Sequence, residues 1–364
     1  MLDDAGHEYL RISNSDTCPA DIDSLRIVVG TTSMLQARPF IFQKKHFSLC
    51  IVDEASQITE PGLVGLLSSD HIDRFILVGD HKQLPAVVQQ TEQESKVTDP
   101  LLTAIGISDC RQSLFERLLQ WERHCGRTQF TGTLRKQGRM HPDIAQFPNE
   151  LFYHRERLEP VPLEHQLDAS LHYDLPSADD VDELLKQQRV IFIDSGGNGI
   201  YGAHGTHETH GLSDKVNEVE ARIVADLLRR IYRFYGDRFN PEKTVGVIVP
   251  YRNQIAMIRQ EIAQLGLAQL EQISIDTVER YQGSQRDVII YSFTVTRPYQ
   301  LDFLTSNCFV EDGRTIDRKL NVAITRARKQ LIMTGNEEIL GRNAIFSQLI
   351  ARYKKKCRIF AVDE

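Results

Sequence analysis

Two adjacent carboxylates, Asp53 and Glu54, follow the apolar run 49–52 early in the chain. The carboxyl end of a parallel strand borders the crevice where α/β sheets bind ligands. In a nucleotide hydrolase, an acid at the position of Asp53 holds Mg²⁺, and one at the position of Glu54 polarises the attacking water. The same pair would also suit the start of a following helix, whose dipole favours acids. These residues alone leave both interpretations open.

A second polar segment, from Gly79 to Pro85, follows the next apolar run along the chain. Gly79 permits a tight turn, which would place Asp80 and Gln83 beside the same edge of the sheet. A neutral amide both donates and accepts hydrogen bonds, which suits Gln83 to sensing a γ-phosphate and its water. A plain turn from strand to loop is the alternative interpretation of this segment.

Arginines occur at two later breaks in the pattern, within segments 134–142 and 320–328. The planar guanidinium suits forked recognition of phosphate, and an arginine at a γ-phosphate stabilises charge in the transition state. The polar segment 274–287 offers hydroxyl and amide groups for the phosphates of a nucleotide or of a nucleic-acid strand. Each segment also has a plainer interpretation, as solvated surface arginines or as a polar loop.

Two other clusters are set aside. His204, His207 and His210 stand three residues apart in a glycine-rich stretch, but no cysteine or acid completes a metal site. We therefore interpret them as histidines of an exposed loop. The segment 354–356, three lysines, is interpreted as the end of the last helix, where cations suit the helix dipole, rather than as a nucleic-acid site.

The elements that must position these residues are short apolar runs separated by stretches of helical period. Seven runs are predicted to be buried strands, at residues 27–29, 49–52, 75–78, 190–193, 245–249, 288–291 and 331–333. Continuous apolar strands indicate parallel sheets covered on both faces. Amphipathic helices are predicted over 217–235 and 255–265. The alternation predicts an α/β fold with doubly wound sheets.

Composition bounds the function and the location. The 364 residues suit about two domains. A net charge of −7 excludes a global attraction to nucleic acid, so a strand would have to be held by local contacts. Six scattered cysteines, no basic-then-apolar leader and no membrane-length apolar run predict a cytoplasmic protein with reduced thiols and no membrane contact. A proline- and acid-rich stretch, 160–182, is predicted to be a surface excursion, and 195–211 a loop.

Taken in order, these segments resemble the motifs of superfamily 1B helicases. The branch is the one that contains the nonsense-mediated-decay RNA helicase, the immunoglobulin-switch-region helicase and senataxin. The resemblance extends over roughly Ile27 to Asn336, and the fixed order of the motifs is far more specific than any one of them. It is carried by Thr31-Thr32, Asp53–Ser56, Gly79–Pro85, Arg139–Pro142, Val249–Gln254, Asp276–Gly283 and Leu320–Arg328.

The resemblance implies two RecA-like domains with parallel sheets, residues 1–133 and 134–364, with ATP between them and a single strand across their tops. It assigns Asp53 to Mg²⁺, Glu54 to water activation, Gln83 to the γ-phosphate, and Arg139 and Arg326 to the role of arginine fingers. It assigns further nucleotide contacts to Asp80, Gln282, Gly283, Gln285 and Arg328. Sequence-independent contacts to the strand are assigned to Thr31, Thr32, Pro250, Arg252 and Thr277.

The sequence departs from the family's pattern in three places. A G-x-x-x-x-G-K-[ST] phosphate loop is not found, since Gly197 and Gly202 have the glycine spacing but Ala203 and His204 follow. We expect that the chain begins inside an incomplete first domain, and that an upstream segment or a partner chain supplies the loop. Gly138 stands where the family has an aromatic residue, and Gln285 stands where it has Glu, which bears on nucleotide affinity and base preference.

Two functions remain open on the sequence. The first is the C-terminal part of an ATP-dependent helicase or translocase acting on single-stranded DNA or RNA, with little catalysis by the isolated chain. The second is a non-catalytic helicase-derived module that binds nucleic acid or a partner protein. Another phosphate-loop ATPase, such as a kinase, would have no reason to carry both arginine segments. The choice between DNA and RNA depends on contacts to the 2′-hydroxyl, which no motif reveals.

Overall fold

The structure is a computed structural model that describes residues 10–11, 22, 24–38, 40–196 and 215–354. The chain divides into two compact units, Met1–Gly132 (unit 1) and Thr133–Glu364 (unit 2). The division falls one residue before the predicted one. No helix in the described part of the chain is both long enough and apolar enough to cross a membrane.

Unit 1 consists of short elements. Its strands are β1 Leu10–Arg11, β2 Val28–Val29, β3 Cys50–Val52 and β4 Phe75–Leu77. Its helices are α1 Thr32–Gln36, α2 Phe40–Lys44, α3 Pro61–Leu67, α4 Glu92–Ser95, α5 Pro100–Ala104 and α6 Leu114–His124, with a 3₁₀ turn at Ala55–Gln57.

Unit 2 has longer elements. Its strands are β5 Lys136–Gln137, β6 Glu159–Pro160, β7 Val190–Asp194, β8 Val245–Val249, β9 Ser274–Thr277, β10 Arg286–Ser292, β11 Cys308–Glu311, β12 Arg314–Asp317 and β13 Ala327–Gly335. Its helices are α7 Pro142–Leu151, α8 Glu164–Leu167, α9 Asp180–Gln187, α10 Glu218–Tyr235, α11 Arg252–Gln264, α12 Ala268–Glu271, α13 Val278–Tyr281, α14 Gln300–Leu304, α15 Arg318–Ile324, α16 Glu337–Leu340 and α17 Ala344–Lys354, with a 3₁₀ turn at Gly236–Arg238.

Five strands of unit 2 form one parallel sheet in the order β7-β13-β10-β8-β9. Successive residues of a strand point to opposite faces of a sheet. Ile289, Ile290 and Tyr291 of the central strand β10 are all buried, so both faces of this sheet are covered. The amphipathic helices α10 and α11 pack their apolar residues, among them Ile231 and Ile258, against one face. The predicted α/β class with a parallel sheet is confirmed.

The sheet that carries the first predicted acids is smaller and is covered on one face. β3 and β4 pair in parallel, and Val52 packs with Leu63 and Leu66 of α3 in the core of unit 1. On the other face, Ile51 is 62% exposed and Ile76 is 47% exposed. The two strands were predicted correctly. The prediction that both of their faces are buried was wrong, because no element among the described residues covers the second face.

The stretch 160–182 was predicted to be a surface excursion, and this was wrong in part, because most of its residues are exposed but several are buried. Its residues Leu171 and Tyr173 are buried in the core of unit 2, and the Tyr173 ring stacks on Phe234 with centroids 4.8 Å apart. Asp182 is also buried, and its Oδ1 accepts a hydrogen bond from Arg230 at 2.8 Å. Acid-rich composition misled the prediction because a buried carboxylate is tolerated when a buried arginine pairs with it.

Two further predictions concern loops. The polar segment beginning at Ser274 is in part a strand, since β9 forms the edge of the large sheet and pairs with β8. Its mixed composition hid the strand because an edge strand need not be apolar throughout. Most of the predicted loop 195–211 lies outside the described residues, as do His204, His207 and His210.

Candidate functional site

The first group of predicted site residues lies at the carboxyl edge of the unit 1 sheet. Asp53 follows β3 directly, and Asp80 lies three residues beyond the end of β4, in a register that pairs Val52 with Leu77. Because the strands are parallel, both loops leave the same edge, where α/β sheets bind ligands. The loops touch, since Ser56 Oγ accepts a hydrogen bond from the Asp80 N–H at 3.2 Å. The segment Asp53–Ser56 (the acidic segment) and the segment Gly79–Pro85 (the amide segment) are therefore neighbours.

Gly79 allows this contact between the two loops. A Cβ at this position would lie 2.8 Å from the backbone N of Ser56, which is closer than real Cβ atoms come to other atoms. Gly79 is not among the described glycines with positive φ. The close approach of the backbones thus explains this glycine, whereas the sequence suggested only a tight turn.

Hydrogen bonds order the polar groups of this edge. Gln83 Nε2 donates to Asp80 Oδ2 at 3.0 Å, and the Glu54 N–H donates to Asp53 Oδ1 at 2.9 Å. Gln57 Nε2 donates to Glu54 Oε2 at 2.7 Å. The side chains of Asp53 and Glu54 are both exposed to solvent. Glu54 has φ 52°, a left-handed conformation that costs energy for a residue with a Cβ and that clusters at functional sites.

Arg139 is held by the loop that precedes α7. Gln137 Oε1 accepts hydrogen bonds from the N–H groups of Arg139 and Met140, at 2.9 and 2.7 Å. The Arg139 guanidinium donates from Nε to Gln285 Oε1 at 3.2 Å and from one terminal nitrogen to the Thr325 carbonyl at 3.3 Å. Within unit 2 the structure therefore brings together Arg139, Gln285 and Thr325, from three separate predicted segments.

Arg326 lies beside this group but is buried. Its side chain is 1% exposed, its Nε donates to the Val322 carbonyl at 3.1 Å, and one terminal nitrogen donates to Thr325 Oγ1 at 3.2 Å. Arg139 and Arg326 thus both bond to Thr325, one through its carbonyl and the other through its hydroxyl. The two predicted fingers share one anchor, although their exposure differs.

The other predicted nucleotide contacts of unit 2 are less concentrated. Gly283 has φ 81°, which explains a glycine there. Gln282 Nε2 is a buried donor that finds no hydrogen-bond partner among the described residues. Arg328 forms an ion pair with Asp287 at 2.7 Å. Gln285 is exposed and contacts Arg139, so it carries an amide where a glutamate would put a negative charge beside that arginine.

The predicted strand-contacting residues fall into two sets. Pro250 and Arg252 follow β8, and Thr277 ends the neighbouring strand β9, whose register pairs Thr277 with Val249. These residues therefore share the carboxyl edge of the large sheet. In unit 1, Thr31 caps α1 by accepting a hydrogen bond from the Met34 N–H at 3.3 Å, and Thr32 is the first residue of that helix.

Three residues near these sites were not singled out from the sequence. Lys82 is buried inside the amide segment, and Thr325 anchors both arginines. Each lies inside a segment that was noted, but only its position in the fold shows its part. His165 Nε2 lies 2.8 Å from the Arg139 carbonyl, and its Nδ1 lies 3.3 Å from Arg328. It belongs to a stretch that was interpreted as surface, so no signal pointed to it.

Residues that could hold a metal ion are few. Across the described ranges, no group of three or more His, Cys, Asp and Glu side chains could hold an ion. Mg²⁺ commonly takes only one or two protein carboxylates and completes its shell with water and substrate phosphates. The exposed carboxylate of Asp53, at a sheet edge with a second acid beside it, fits that pattern.

Two family models, each described as an AAA domain, match residues 8–91 and 110–338. The DNA replication ATP-dependent helicase/nuclease DNA2 of Xenopus laevis is 34% identical over 93% of the chain and 29% of that protein. The DNA polymerase alpha-associated DNA helicase A of Saccharomyces cerevisiae is 30% identical over 81% of the chain and 39% of that protein. The regulator of nonsense transcripts 1 of Dictyostelium discoideum is 30% identical over 85% of the chain and 20% of that protein.

The chain therefore spans well under half the length of these curated relatives. Among solved structures, an arterivirus nonstructural protein 10 helicase aligns over 92% of the chain and 49% of that protein, with 15% identity and a TM-score of 0.39.

Proposed function

The chain belongs to the superfamily 1 helicases of the type of DNA2 and the regulator of nonsense transcripts 1, and on that premise we propose that it couples ATP hydrolysis to movement along single-stranded nucleic acid. The relative from Xenopus laevis is an ATP-dependent helicase/nuclease by name, so nucleotide use follows from the family. ATP and Mg²⁺ as the bound species, and the roles of individual residues, are part of the proposal.

One observation carries the proposal: the acidic and amide segments lie side by side at the carboxyl edge of a parallel sheet. In this proposal Asp53 holds Mg²⁺, Glu54 accepts the proton of the attacking water, and Gln83 senses the γ-phosphate. Mg²⁺ would neutralise phosphate charge there. The exposure of Asp53 and Glu54 leaves both carboxylates accessible to a substrate, and the bond between Gln83 and Asp80 fixes the amide.

Arg139 and Arg326 are proposed to stabilise the negative charge of the transferring phosphoryl group. Their common anchor at Thr325 supports a joint role, because the position of either guanidinium depends on the same residue. Further nucleotide contacts are proposed for Asp80, Gln282, Gly283, Gln285 and Arg328.

The nucleic-acid partner is proposed to lie on the residues that end the sheet strands. Thr277 with Pro250 and Arg252 offer a hydroxyl and a cation at one sheet edge of unit 2, and Thr31 with Thr32 offer hydroxyls in unit 1. Such groups contact phosphates and give no base specificity. We propose single-stranded DNA or RNA as the partner, in the cytoplasm. The described cysteines Cys50, Cys110, Cys125 and Cys308 are all free, which accords with a reducing compartment.

A non-catalytic module that binds nucleic acid or a partner protein is the second candidate. The observation that favours it is the burial of Arg326, whose guanidinium bonds to its own chain rather than facing solvent. An arginine in that state would support the fold of unit 2 without reaching a phosphate. A phosphate loop supplied by another segment or chain remains part of the first proposal.

ATP hydrolysis by the full chain, with and without single strands, tests the choice. We expect slow turnover that a DNA or RNA strand stimulates. Glu54→Gln should lower it by about 10²-fold or more, because the base that accepts the water's proton is lost. Glu92→Gln is the matched control, since it makes the same charge change at an exposed position of unit 1. Turnover retained by Glu54→Gln would reject the role of Glu54. Turnover absent with every strand, also when the segment or chain that carries a phosphate loop is added, would reject the catalytic proposal.

A further inference from the structure

An aromatic pocket lies at the carboxyl end of β8 in unit 2. Its volume is 430 Å³, and its lining includes Lys215, Tyr251, Arg252, Tyr299 and Phe303. This volume falls within the range of small-ligand sites in proteins. Its walls come from the first turn of α11 and from α14 with the residue before it, two elements far apart in the sequence. Pro250 also lines the pocket, and of the lining only Pro250 and Arg252 were assigned a role in the sequence analysis.

Two contacts fix one wall of the pocket. The rings of Tyr251 and Phe303 stack, with centroids 5.0 Å apart and planes inclined by 25°. The Lys319 ammonium lies 3.8 Å from the centroid of Phe303 and donates a hydrogen bond to the Phe303 carbonyl at 3.0 Å. Phe303 is therefore held in place before any ligand arrives, which lowers the entropic cost of binding.

The segment that carries Tyr299 is fixed as well. Gln300 is buried, and its Oε1 accepts hydrogen bonds from the N–H groups of Thr296 and Arg297 at 2.7 and 2.8 Å. Those bonds hold the chain that leads into α14. Tyr299 next to this anchor is 57% exposed, so its ring offers an accessible apolar surface at the pocket.

The chemistry of the lining selects a ligand with both a ring and negative charge. Tyr299 and Phe303 offer aromatic surface, Lys215 and Arg252 offer positive charge, and the described lining includes no carboxylate. Rings alternating with cations are the arrangement by which proteins bind single strands, since bases stack while phosphates meet the cations. Because the net charge of the chain is −7, an anionic strand is attracted only by local groups of cations such as Lys215 and Arg252.

We propose that this pocket takes an unpaired base of a single strand, stacked on Tyr299 beside Phe303, with the neighbouring phosphate at Arg252 and Lys215. The proposal rests on the proposed function, because it adds a base contact to the phosphate contacts at the same sheet edge. Thr277 lies on β9, the β-strand next to β8. A single-stranded nucleic acid that contacts Thr277 therefore passes close to the pocket. Stacking requires no particular base, which agrees with a protein that moves along any sequence.

The test compares strand binding by Tyr299→Ala, Tyr299→Phe and the unchanged chain. Probes are a short oligothymidylate, and the same strand carrying one abasic site at each position in turn. We expect Tyr299→Ala to weaken binding about 10-fold, while Tyr299→Phe retains it because the ring remains. Phe130→Ala is the matched control, since Phe130 is 74% exposed and lies in unit 1. One abasic position should weaken binding by the unchanged chain and not by Tyr299→Ala.

Salt dependence separates the base contact from the phosphate contacts. Tyr299→Ala should leave the slope of log affinity against log salt unchanged. Arg252→Ala should reduce the magnitude of this slope by about 0.7, because one phosphate contact to a single strand is lost. If the unchanged chain binds no strand at low salt, the proposed function fails and this inference fails with it. If strands bind and Tyr299→Ala behaves like Phe130→Ala, only the base pocket is overturned. If Tyr299→Ala binds free ATP more weakly than the unchanged chain but binds the single strand as tightly, the base pocket is also overturned.

Discussion

The sheets of the two units derive from the same kind of apolar run, yet their surroundings differ. In unit 2, Val247 and Ile290 are fully buried among helices on a five-stranded sheet. In unit 1, Ile51 and Ile76 leave one face of a two-stranded sheet exposed. The difference teaches that an apolar run specifies a strand, while the cover on that strand depends on elements elsewhere in the chain.

The functional groups follow the same division. The acids of unit 1, Asp53 and Glu54, are exposed on a loop whose backbone is strained at Glu54. The arginines of unit 2, Arg139 and Arg326, are tied to Thr325 by hydrogen bonds. The arginines of unit 2 therefore belong to a unit whose sheet is buried on both faces, whereas the acids of unit 1 follow a sheet with one exposed face.

The largest expected effect comes from truncating a strand residue in each unit. Ile290→Ala should lower the free energy of unfolding of unit 2 by about 2–5 kcal/mol, because it opens a cavity in a close-packed core. Ile51→Ala should change the stability of unit 1 by about 0.5 kcal/mol or less, because its side chain is mostly solvated. Urea unfolding followed by the fluorescence of Trp121, the only tryptophan, reports unit 1, and hydrogen exchange reports β10.

Equal losses in the two variants would contradict the comparison. They would mean that the exposed face of the unit 1 sheet is covered in solution. A shift in the Trp121 transition on Ile290→Ala would show that the units unfold together, and the two effects would then be compared by exchange alone.

A second contrast concerns the carboxylates at the carboxyl edges of the two sheets. Glu54 is exposed, whereas Glu220 in unit 2 is buried, and burial raises the pKa of Glu220 to about 7. Its Oε2 accepts hydrogen bonds from Ser292 Oγ at 2.6 Å and from the Thr294 N–H at 2.9 Å. Thr294 has φ 56°, so Glu220 anchors a left-handed residue just beyond the central strand.

Glu220→Gln should flatten part of the pH dependence of stability. Because the folded pKa lies above the usual 4.5, the contribution of Glu220 is fully present below pH 4.5 and is lost as pH rises through about 7. The loss approaches about 3–4 kcal/mol, at roughly 1.4 kcal/mol per pKa unit. The difference between wild-type and Glu220→Gln unfolding free energies should vary between pH 4.5 and 7. A difference independent of pH would contradict the raised pKa of Glu220.

The sequence was most informative where apolar period and motif order agree. Periodicity located α10 and α11, and continuous apolar runs located β8 and β10. The motif order led to the family. Asp53 and Gln83 were expected to be neighbours at a sheet edge, and parallel pairing of β3 with β4 places their loops together. These features depend on local pattern and on a general rule of sheet geometry.

What the sequence could not give depends on contacts between distant residues. The burial of Asp182 requires Arg230, and the shared anchor of Arg139 and Arg326 requires Thr325 and the path of α15. Phe303 and Tyr251 are 52 positions apart, so no local pattern marks their pocket. The exposure of Ile51 was missed for the converse reason, since its run looks the same as a buried one.

The most direct test of the account is the affinity of the full chain for a single strand, measured with and without Mg²⁺-ATP. A helicase couples the two ligands, and such coupling is typically 1–3 kcal/mol, or about 5- to 150-fold in affinity. We predict a change of that order in the strand Kd on adding Mg²⁺-ATP, and its loss in Arg139→Ala. An identical strand Kd under both conditions would contradict the account and leave a module that binds nucleic acid without using ATP.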